Sequence, residues 1–203
     1  MGEGSDADRD REDPDGPAGM ADSADADRTR NRNRDRERER ESGRDEELTH
    51  VDESGEVQMV DVGDKPDTAR RAVARGVIHL RESTVGAVRA NDVSKGDVLA
   101  TARVGAVQAV KHTWETIPMC HGIPITNVDT EFDVGGDRIT LTVAVETTGK
   151  TGCEMEALEG VTTGLNVVWD MVKAVEKDED GQYPATRISD VRVLEKEKRR
   201  TDG

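Results

Sequence analysis

Residues 154–177 read EMEALEGVTTGLNVVWDMVKAVEK, and this stretch decides the fold. Its apolar residues recur every three or four positions, which is the spacing of one face of an α-helix. These positions are Met155, Leu158, Val161, Leu165, Val168, Val172 and Val175. The pattern predicts one long helix from Glu154 to about Lys177, with an apolar stripe that must pack against another layer.

The segments on either side of this helix supply that layer. Two strand-like runs precede it, and Gly135-Gly136-Asp137 between them favours a hairpin. Asp97 is placed to cap a helix rich in Ala and Gly, whose small side chains permit close packing. The predicted elements are strand 72–80, short helix 81–90, helix 97–115, strands 127–134 and 138–147, the long helix, exposed loop 178–186 and strand 187–194. This order predicts an α+β sandwich, an antiparallel sheet with helices on one face.

Residues 1–47 differ in composition from the rest of the chain. They are almost all charged or small residues and cannot bury enough apolar surface to fold, so we expect a disordered tail before a folded domain over 48–203. The stretch 30–41, RNRNRDRERERE, is compatible with a basic arm for RNA. A solvated mixed-charge tail is favoured instead, because acids alternate with the arginines and the tail has no aromatic residue to stack on bases.

The charge and cysteine content limits the partners and the compartment. The net charge is −15, which disfavours nucleic acid and anionic membranes as partners. High acidity with few lysines is typical of an acidic, halophile-like surface whose self-repulsion salt would screen. Neither a membrane-spanning run nor an apolar leader is recognised, and Cys120 and Cys153 suit reduced thiols, so we expect a cytoplasmic protein.

Three polar clusters are candidates for chemistry, and each also has an ordinary structural explanation. Lys95-Gly96-Asp97 is either a loop that supports an acid–base or phosphate-binding lysine or a surface loop before a helix. Cys120-His121, between two prolines, is either a pair with a structural histidine or an acid–base or phosphate-binding group. A metal site is disfavoured, because no second Cys or His group completes it. The third cluster, on the long helix, could be functional or could consist of dipole-stabilising acids and a surface ion pair: Glu154, Glu156, Asp170 and Lys173. Gly149-Lys150-Thr151 is not a phosphate loop, because the upstream glycine at the required spacing is absent.

Read together, several long blocks in order resemble the cyclic pyranopterin monophosphate synthase (MoaC) family. The blocks are Met59–Val62 with Lys65, Thr68 and Arg70, then Lys95–Arg103, Ile117–His121, Thr148–Leu158 and Trp169–Val175. The resemblance covers most of residues 48–196 and implies a ferredoxin-like subunit in a homohexamer, a trimer of dimers, with active sites at subunit interfaces. It implies a lyase of molybdenum cofactor biosynthesis that converts (8S)-3′,8-cyclo-7,8-dihydroguanosine 5′-triphosphate to cyclic pyranopterin monophosphate and releases pyrophosphate.

The resemblance also assigns roles to residues whose motifs match. Catalytic roles fall on Asp170, Lys173, Lys95 and His121. Substrate-binding roles fall on Met119, Cys120, His121, Met155, Glu156, Glu154, Arg70 and, less securely, Lys196. The family implies no resident metal, although the charge of the triphosphate makes Mg²⁺ a plausible companion. A nucleotide-binding oligomer without turnover is the competing interpretation.

The chain departs from the family pattern at four places. Gly122 replaces the proline that usually follows the motif histidine, which would loosen the loop that carries His121. The loop 178–186 is longer than usual, and Glu197-Lys198-Arg199-Arg200 replaces a glycine-serine tail, which places the role of Lys196 in question. The charged segment 1–47 is an addition, to which no catalytic role is assigned.

Overall fold

The computed structural model describes residues 59–200, which form eight elements around one antiparallel sheet. The elements are β1 (Thr68–His79), α1 (Glu82–Arg89), α2 (Val98–Lys111), α3 (Thr113–Thr116), β2 (Ile125–Val134), β3 (Arg138–Gly149), α4 (Glu154–Glu176) and β4 (Arg187–Arg200). The strand order is β2-β3-β1-β4, and every neighbouring pair is antiparallel. This arrangement confirms the predicted ferredoxin-like α+β sandwich. The predicted disordered tail, 1–47, lies outside the described residues and stays a prediction.

The core lies between the sheet and the two long helices. Alternate residues of the central strands face α2 and α4 and are fully buried, because strand side chains alternate between the two faces of a sheet. They include Ala74 and Ile78 of β1 and Leu141, Val143 and Val145 of β3. Gly164 on α4 shows how tight the packing is, since an added Cβ there would lie 2.4 Å from Leu141 Cδ2 and 3.2 Å from Ala106 Cβ. Small residues on both helices therefore permit the close approach that the sequence predicts.

Most boundaries agree with the sequence prediction, and three differ. Strand β1 begins at Thr68 instead of Ala72, because residues 68–71 pair with the ends of β3 and β4. Helix α2 ends at Lys111 instead of continuing to Glu115, because His112 leaves the helical conformation (φ −119°, ψ 17°) and a separate turn, α3, follows. The predicted cap is confirmed, since Asp97 accepts a hydrogen bond from the Ala100 N–H at 2.9 Å. Strand β4 continues past Leu194 to Arg200, because its charged end pairs with β1 throughout, from Thr68 opposite Arg200 onward.

Within residues 59–200, no helix is long and apolar enough to cross a membrane.

Candidate active site

A lysine–aspartate cluster is formed by Asp170 and Lys173, on the second half of α4, and by Lys95, in the loop before α2. Lys95 Nζ is 2.9 Å from Asp170 Oδ2, and Lys173 Nζ is 2.7 Å from Asp170 Oδ1. Lys95 also donates to the Asp170 carbonyl oxygen at 2.6 Å, so it is tied to the helix as well as to the carboxylate. Each carboxylate oxygen thus faces a different ammonium group, and all three side chains remain partly exposed to solvent.

The protonation states in this cluster follow from its hydrogen bonds. Bonds from Lys173 and Lys95 lower the pKa of Asp170 to about 2, while Asp170 raises the pKa of Lys173. The aspartate is therefore ionised at any ordinary assay pH, and Lys173 is protonated. Such an arrangement presents two cations to an incoming anion and one carboxylate that can accept a proton or a hydrogen bond.

A second group of predicted residues lines a cleft at the start of α4, which we call the carboxylate cleft. Its volume is about 510 Å³. Three separate segments form it: the stretch before β1, the loop before β2 and the first turn of α4. The lining residues are Val60, Val62, Lys65, Ile117, Met119, Cys120, His121, Thr151, Gly152, Glu154, Met155 and Glu156. Six residues that the sequence assigned to the site are thus brought together in one chain.

The two glutamates of the carboxylate cleft lie in opposite electrostatic environments. Burial alone would raise the pKa of Glu154, but the bond from Lys196 and the charges of Lys196 and Arg70 bring it below its usual value. Glu156 is only 4% exposed, and burial together with the charge of Glu154 raises its pKa. Two carboxyl groups whose pKa values are pushed apart are suited to act as a proton acceptor and a proton donor.

Two predicted residues reach this region from the strands. Lys196 on β4 forms an ion pair with Glu154. This residue, whose substrate-binding role was the least secure assignment from the sequence, therefore lies at the carboxylate cleft. Arg70 on β1 donates to Thr68 Oγ1 at 2.9 Å and to the Lys150 carbonyl oxygen at 3.1 Å. Arg70 therefore lies beside the cleft, and its charge acts on Glu154.

The two groups of residues do not meet within one chain. Asp170 follows Glu154 by 16 residues on the same helix, α4. At about 1.5 Å per residue, their backbones are about 24 Å apart along the helix axis. The lysine–aspartate cluster and the carboxylate cleft are thus two separate half-sites of the described chain.

One charged lining residue of the carboxylate cleft, Lys65, has no role in the sequence prediction. Lys65 lies in a matching block, but only the structure shows that it faces the same cleft as Glu154. Lys150 holds the segment before β1 in place by donating to the Gly63 carbonyl oxygen. The signal for Lys65 was present, since it is the one basic residue between Met59 and Thr68.

The glycine that departs from the family pattern is covered by an aromatic ring. A Cβ at Gly122 would lie 3.7 Å from two atoms of the Trp114 ring, which is ordinary packing distance. Trp114 thus packs on the loop that carries His121, although 52% of it is exposed. This contact gives the loop support in place of the missing proline ring, and the expected loosening of the loop stays a prediction.

The fold and its two half-sites define a ferredoxin-like α+β protein suited to acid–base chemistry on a highly charged small molecule. The MoaC family model matches residues 59–199, and the chain belongs to this family. A relative from Natronomonas pharaonis, "Probable cyclic pyranopterin monophosphate synthase", is 77% identical over 155 residues, 76% of this chain and 97% of the relative. A Halobacterium salinarum protein of the same name is 75% identical over 156 residues, 77% and 96% of the two chains.

A more distant relative carries a different name. The protein from Methanothermobacter thermautotrophicus is 58% identical over 152 residues, 75% of this chain and 95% of the relative. It is called "Probable cyclic pyranopterin monophosphate synthase accessory protein". Together with the family match, the relatives confirm the predicted family and the predicted enzyme class, a cyclic pyranopterin monophosphate synthase of molybdenum cofactor biosynthesis.

Proposed function

We propose that this chain converts (8S)-3′,8-cyclo-7,8-dihydroguanosine 5′-triphosphate to cyclic pyranopterin monophosphate in active sites that two subunits share. One observation carries the proposal. The predicted site residues fall into two compact half-sites, one with two ammonium groups and one with two glutamates, at opposite ends of α4. The residues that the family resemblance assigns to one active site are divided between these two half-sites, about 24 Å apart along α4, so a second subunit must supply the other half.

Opening and rebuilding the heterocycle requires several proton transfers between neighbouring atoms. In the carboxylate cleft, Glu154 is the stronger acid and serves as acceptor, whereas Glu156 holds its proton more tightly and serves as donor. His121 lines the same cleft and is a third candidate for proton transfer. From the other subunit, Asp170 and Lys173 act as an ionised acid–base pair on the same heterocycle.

Closing the cyclic phosphate requires cations near the triphosphate. A ribose oxygen attacks the α-phosphorus, the bond from phosphorus to the bridging oxygen breaks, and pyrophosphate leaves with the electron pair. The proton of the attacking hydroxyl passes to a nearby base. Lys95, acting as the phosphate-side acid, stabilises the charge that develops on the phosphates together with Arg70.

The length of α4 supports a shared site. A protomer with its half-sites about 24 Å apart can complete two active sites if a twofold axis brings each half-site against the opposite half-site of its partner. Three such pairs give the homohexamer, a trimer of dimers, that the resemblance implies. The sedimentation coefficient or light-scattering mass of the full chain tests this assembly, and a monomer at working concentration would contradict it.

Product formation by variants of the lysine–aspartate cluster tests the proposed function. Lys95→Ala, Asp170→Asn and Lys173→Ala should each lose at least about a hundredfold in turnover, the usual contribution of a positioned acid, base or charge. Lys111→Ala serves as a matched control, because Lys111 is at the far end of α2 and belongs to neither half-site. Near-normal turnover in all three cluster variants would end the proposal.

The remaining expectations about cofactor and setting are proposals of the same kind. Among residues 59–200, no group of three or more His, Cys, Asp or Glu side chains is placed to hold a metal. We therefore propose that Mg²⁺, where present, enters with the triphosphate. We also propose a cytoplasmic setting without nucleic-acid or membrane partners, which the free thiols of Cys120 and Cys153 and the net charge of −15 support.

A further inference from the structure

Aromatic residues are concentrated beside the lysine–aspartate cluster. The whole chain contains two Trp, one Tyr and one Phe, so each aromatic position is informative. Trp169 and Tyr183 form an edge-to-face pair, with ring centroids 5.7 Å apart and ring planes at 80°. Trp169 lies four residues before Lys173 on α4, which makes their side chains neighbours on the helix surface. Half of the aromatic side chains of the chain thus flank this cluster.

Tyr183 is carried by a loop that makes its own hydrogen bonds. Asp178 Oδ1 accepts from the Gln182 N–H at 2.7 Å, which closes the first half of the loop 178–186. The Thr186 N–H donates to the Tyr183 carbonyl oxygen at 3.2 Å, and Thr186 Oγ1 donates to Glu176 Oε2 at 2.6 Å. Because Glu176 is fully buried, this last bond fixes the loop to the end of α4. The loop that carries Tyr183 is therefore ordered before any ligand binds, so binding costs little further conformational entropy there.

The position of Tyr183 relative to the two lysines indicates which part of a ligand it meets. Asp170 separates the lysines, with Lys173 at Oδ1 and Lys95 at Oδ2. Tyr183 is on the Lys173 side, since it contacts Trp169, which lies one helical turn before Lys173 on the same face of α4. In the proposed reaction, Lys95 faces the phosphates and the Asp170–Lys173 pair faces the heterocycle. The tyrosine ring is thus beside the heterocycle.

We propose that Tyr183, supported by Trp169, is a further substrate-contacting residue whose ring packs against the purine-derived heterocycle. The inference rests on the proposed function, because it takes the lysine–aspartate cluster as half of the active site. An edge-to-face pair covers at most one face of either ring, and Tyr183 is only partly buried, so ring surface remains for a ligand. Aromatic faces stack on nucleobases without reading their hydrogen-bonding edges, so such a contact adds affinity for the base and none for the phosphates.

Binding of two ligands by the full-length oligomer separates these contributions. Guanosine 5′-triphosphate and inorganic tripolyphosphate are titrated by calorimetry at one fixed salt concentration. Tyr183→Ala and Tyr183→Leu should weaken binding of guanosine triphosphate about tenfold and leave tripolyphosphate binding within about twofold. Tyr183→Phe keeps the ring and should bind guanosine triphosphate within about threefold of the original chain. Gln182→Ala, an exposed neighbour on the same loop, should change neither affinity.

Two other results would overturn the inference. Equal loss for both ligands in Tyr183→Ala and Tyr183→Leu would mean that the loop acts on the phosphates or on the fold. No loss for guanosine triphosphate would mean that the ring touches no base. Tyr183→Leu retains apolar volume, and its melting temperature shows whether the fold is intact. Lys173→Ala separates failure of the inference from failure of the proposed function. Normal binding and turnover in Lys173→Ala would refute the proposed function. Loss of both in Lys173→Ala, together with normal binding of guanosine triphosphate in Tyr183→Ala, would refute the inference alone.

Discussion

Mixed oligomers of two inactive variants test whether each active site draws on two subunits. His121 lines the carboxylate cleft, and Asp170 anchors the lysine–aspartate cluster about 24 Å away along α4. In a shared site, His121→Ala disables the half-site that one subunit contributes, and Asp170→Asn disables the half-site that its partner contributes. A mixed pair then has one site with both defects and one site with neither.

The expected recovery follows from counting sites. When equal amounts of the two variants assemble at random, half of the pairs are mixed, and one of the two sites in each mixed pair is intact. About a quarter of all sites is therefore restored, so the mixture should reach about 25% of the turnover of the original chain. A site built within one chain predicts no recovery at all, because every subunit then carries a defect in its own site.

Each variant carries a different affinity tag, and tandem purification after co-expression proves that mixed oligomers exist. The assay is formation of cyclic pyranopterin monophosphate from the cyclised nucleotide. A mixture of Lys95→Ala with Asp170→Asn is the matched control, since both substitutions disable the same half-site and no intact site can form. Turnover of the purified His121→Ala and Asp170→Asn mixture that stays at the level of the single variants would refute the shared site.

Three further predictions concern stability and can be measured by urea denaturation. Glu176→Ala should lower the free energy of unfolding by about 3 kcal/mol, because the Arg81 N–H and Thr186 Oγ1 both donate to this buried carboxylate and would lose their partner. A decrease below about 1 kcal/mol would contradict this. Burial raises the pKa of Glu156, so the folded chain loses stability as the pH rises above the unfolded pKa of this group. Glu156→Gln should therefore stabilise by about 1 kcal/mol at pH 8 but not near pH 4, and an equal gain at both values would refute the assignment. Gly164→Ala should lower the free energy of unfolding by about 1–3 kcal/mol, since its Cβ would lie 2.4 Å from the buried Leu141 Cδ2. Its control, Gly86→Ala, has nothing within 4 Å of the added Cβ and should raise the free energy of unfolding by about 0.5–1 kcal/mol. Equal effects of the two substitutions would show that packing is not the cause.

Local signals predicted most of the fold. The apolar stripe and the glycine-flanked turn before it placed α4 within one residue of its observed ends, Glu154 and Glu176. The strand pair around Gly135-Gly136 was recognised because turn chemistry and alternation agree there. The end of β4 was missed because its last residues are all charged and carry no apolar alternation. Their strand conformation depends on backbone bonds to β1 and on cross-strand pairs such as Arg71 with Glu195 at 3.0 Å, which are long-range effects.

The candidate site was predictable as a set of residues but not as a geometry. Motif blocks named the members of both half-sites, and the separation of Glu154 from Asp170 follows once both are placed on one helix. The ion pair between Lys196 and Glu154 could not be foreseen, because it depends on the register of an edge strand. The contrasting environments of Glu154 and Glu156 also needed coordinates, since burial of one side of a first helical turn is a tertiary property.

The division of the residues between two half-sites gives a reason for oligomeric assembly beyond stability. The lysine–aspartate cluster is partly exposed, and both of its ammonium groups are already paired with the Asp170 carboxylate. By itself, the cluster therefore offers an anion two lysines whose charge is partly neutralised. The carboxylate cleft holds two glutamates whose charges Lys65 and Lys196 offset, so by itself it has little positive charge left for a triphosphate. In the proposed shared site, the ammonium groups of the cluster would add that positive charge, and displacement of water from both surfaces would strengthen each charge interaction. In the proposed oligomer, assembly would create a binding site from two surfaces that bind the substrate weakly on their own, so activity should rise with protein concentration through the assembly equilibrium.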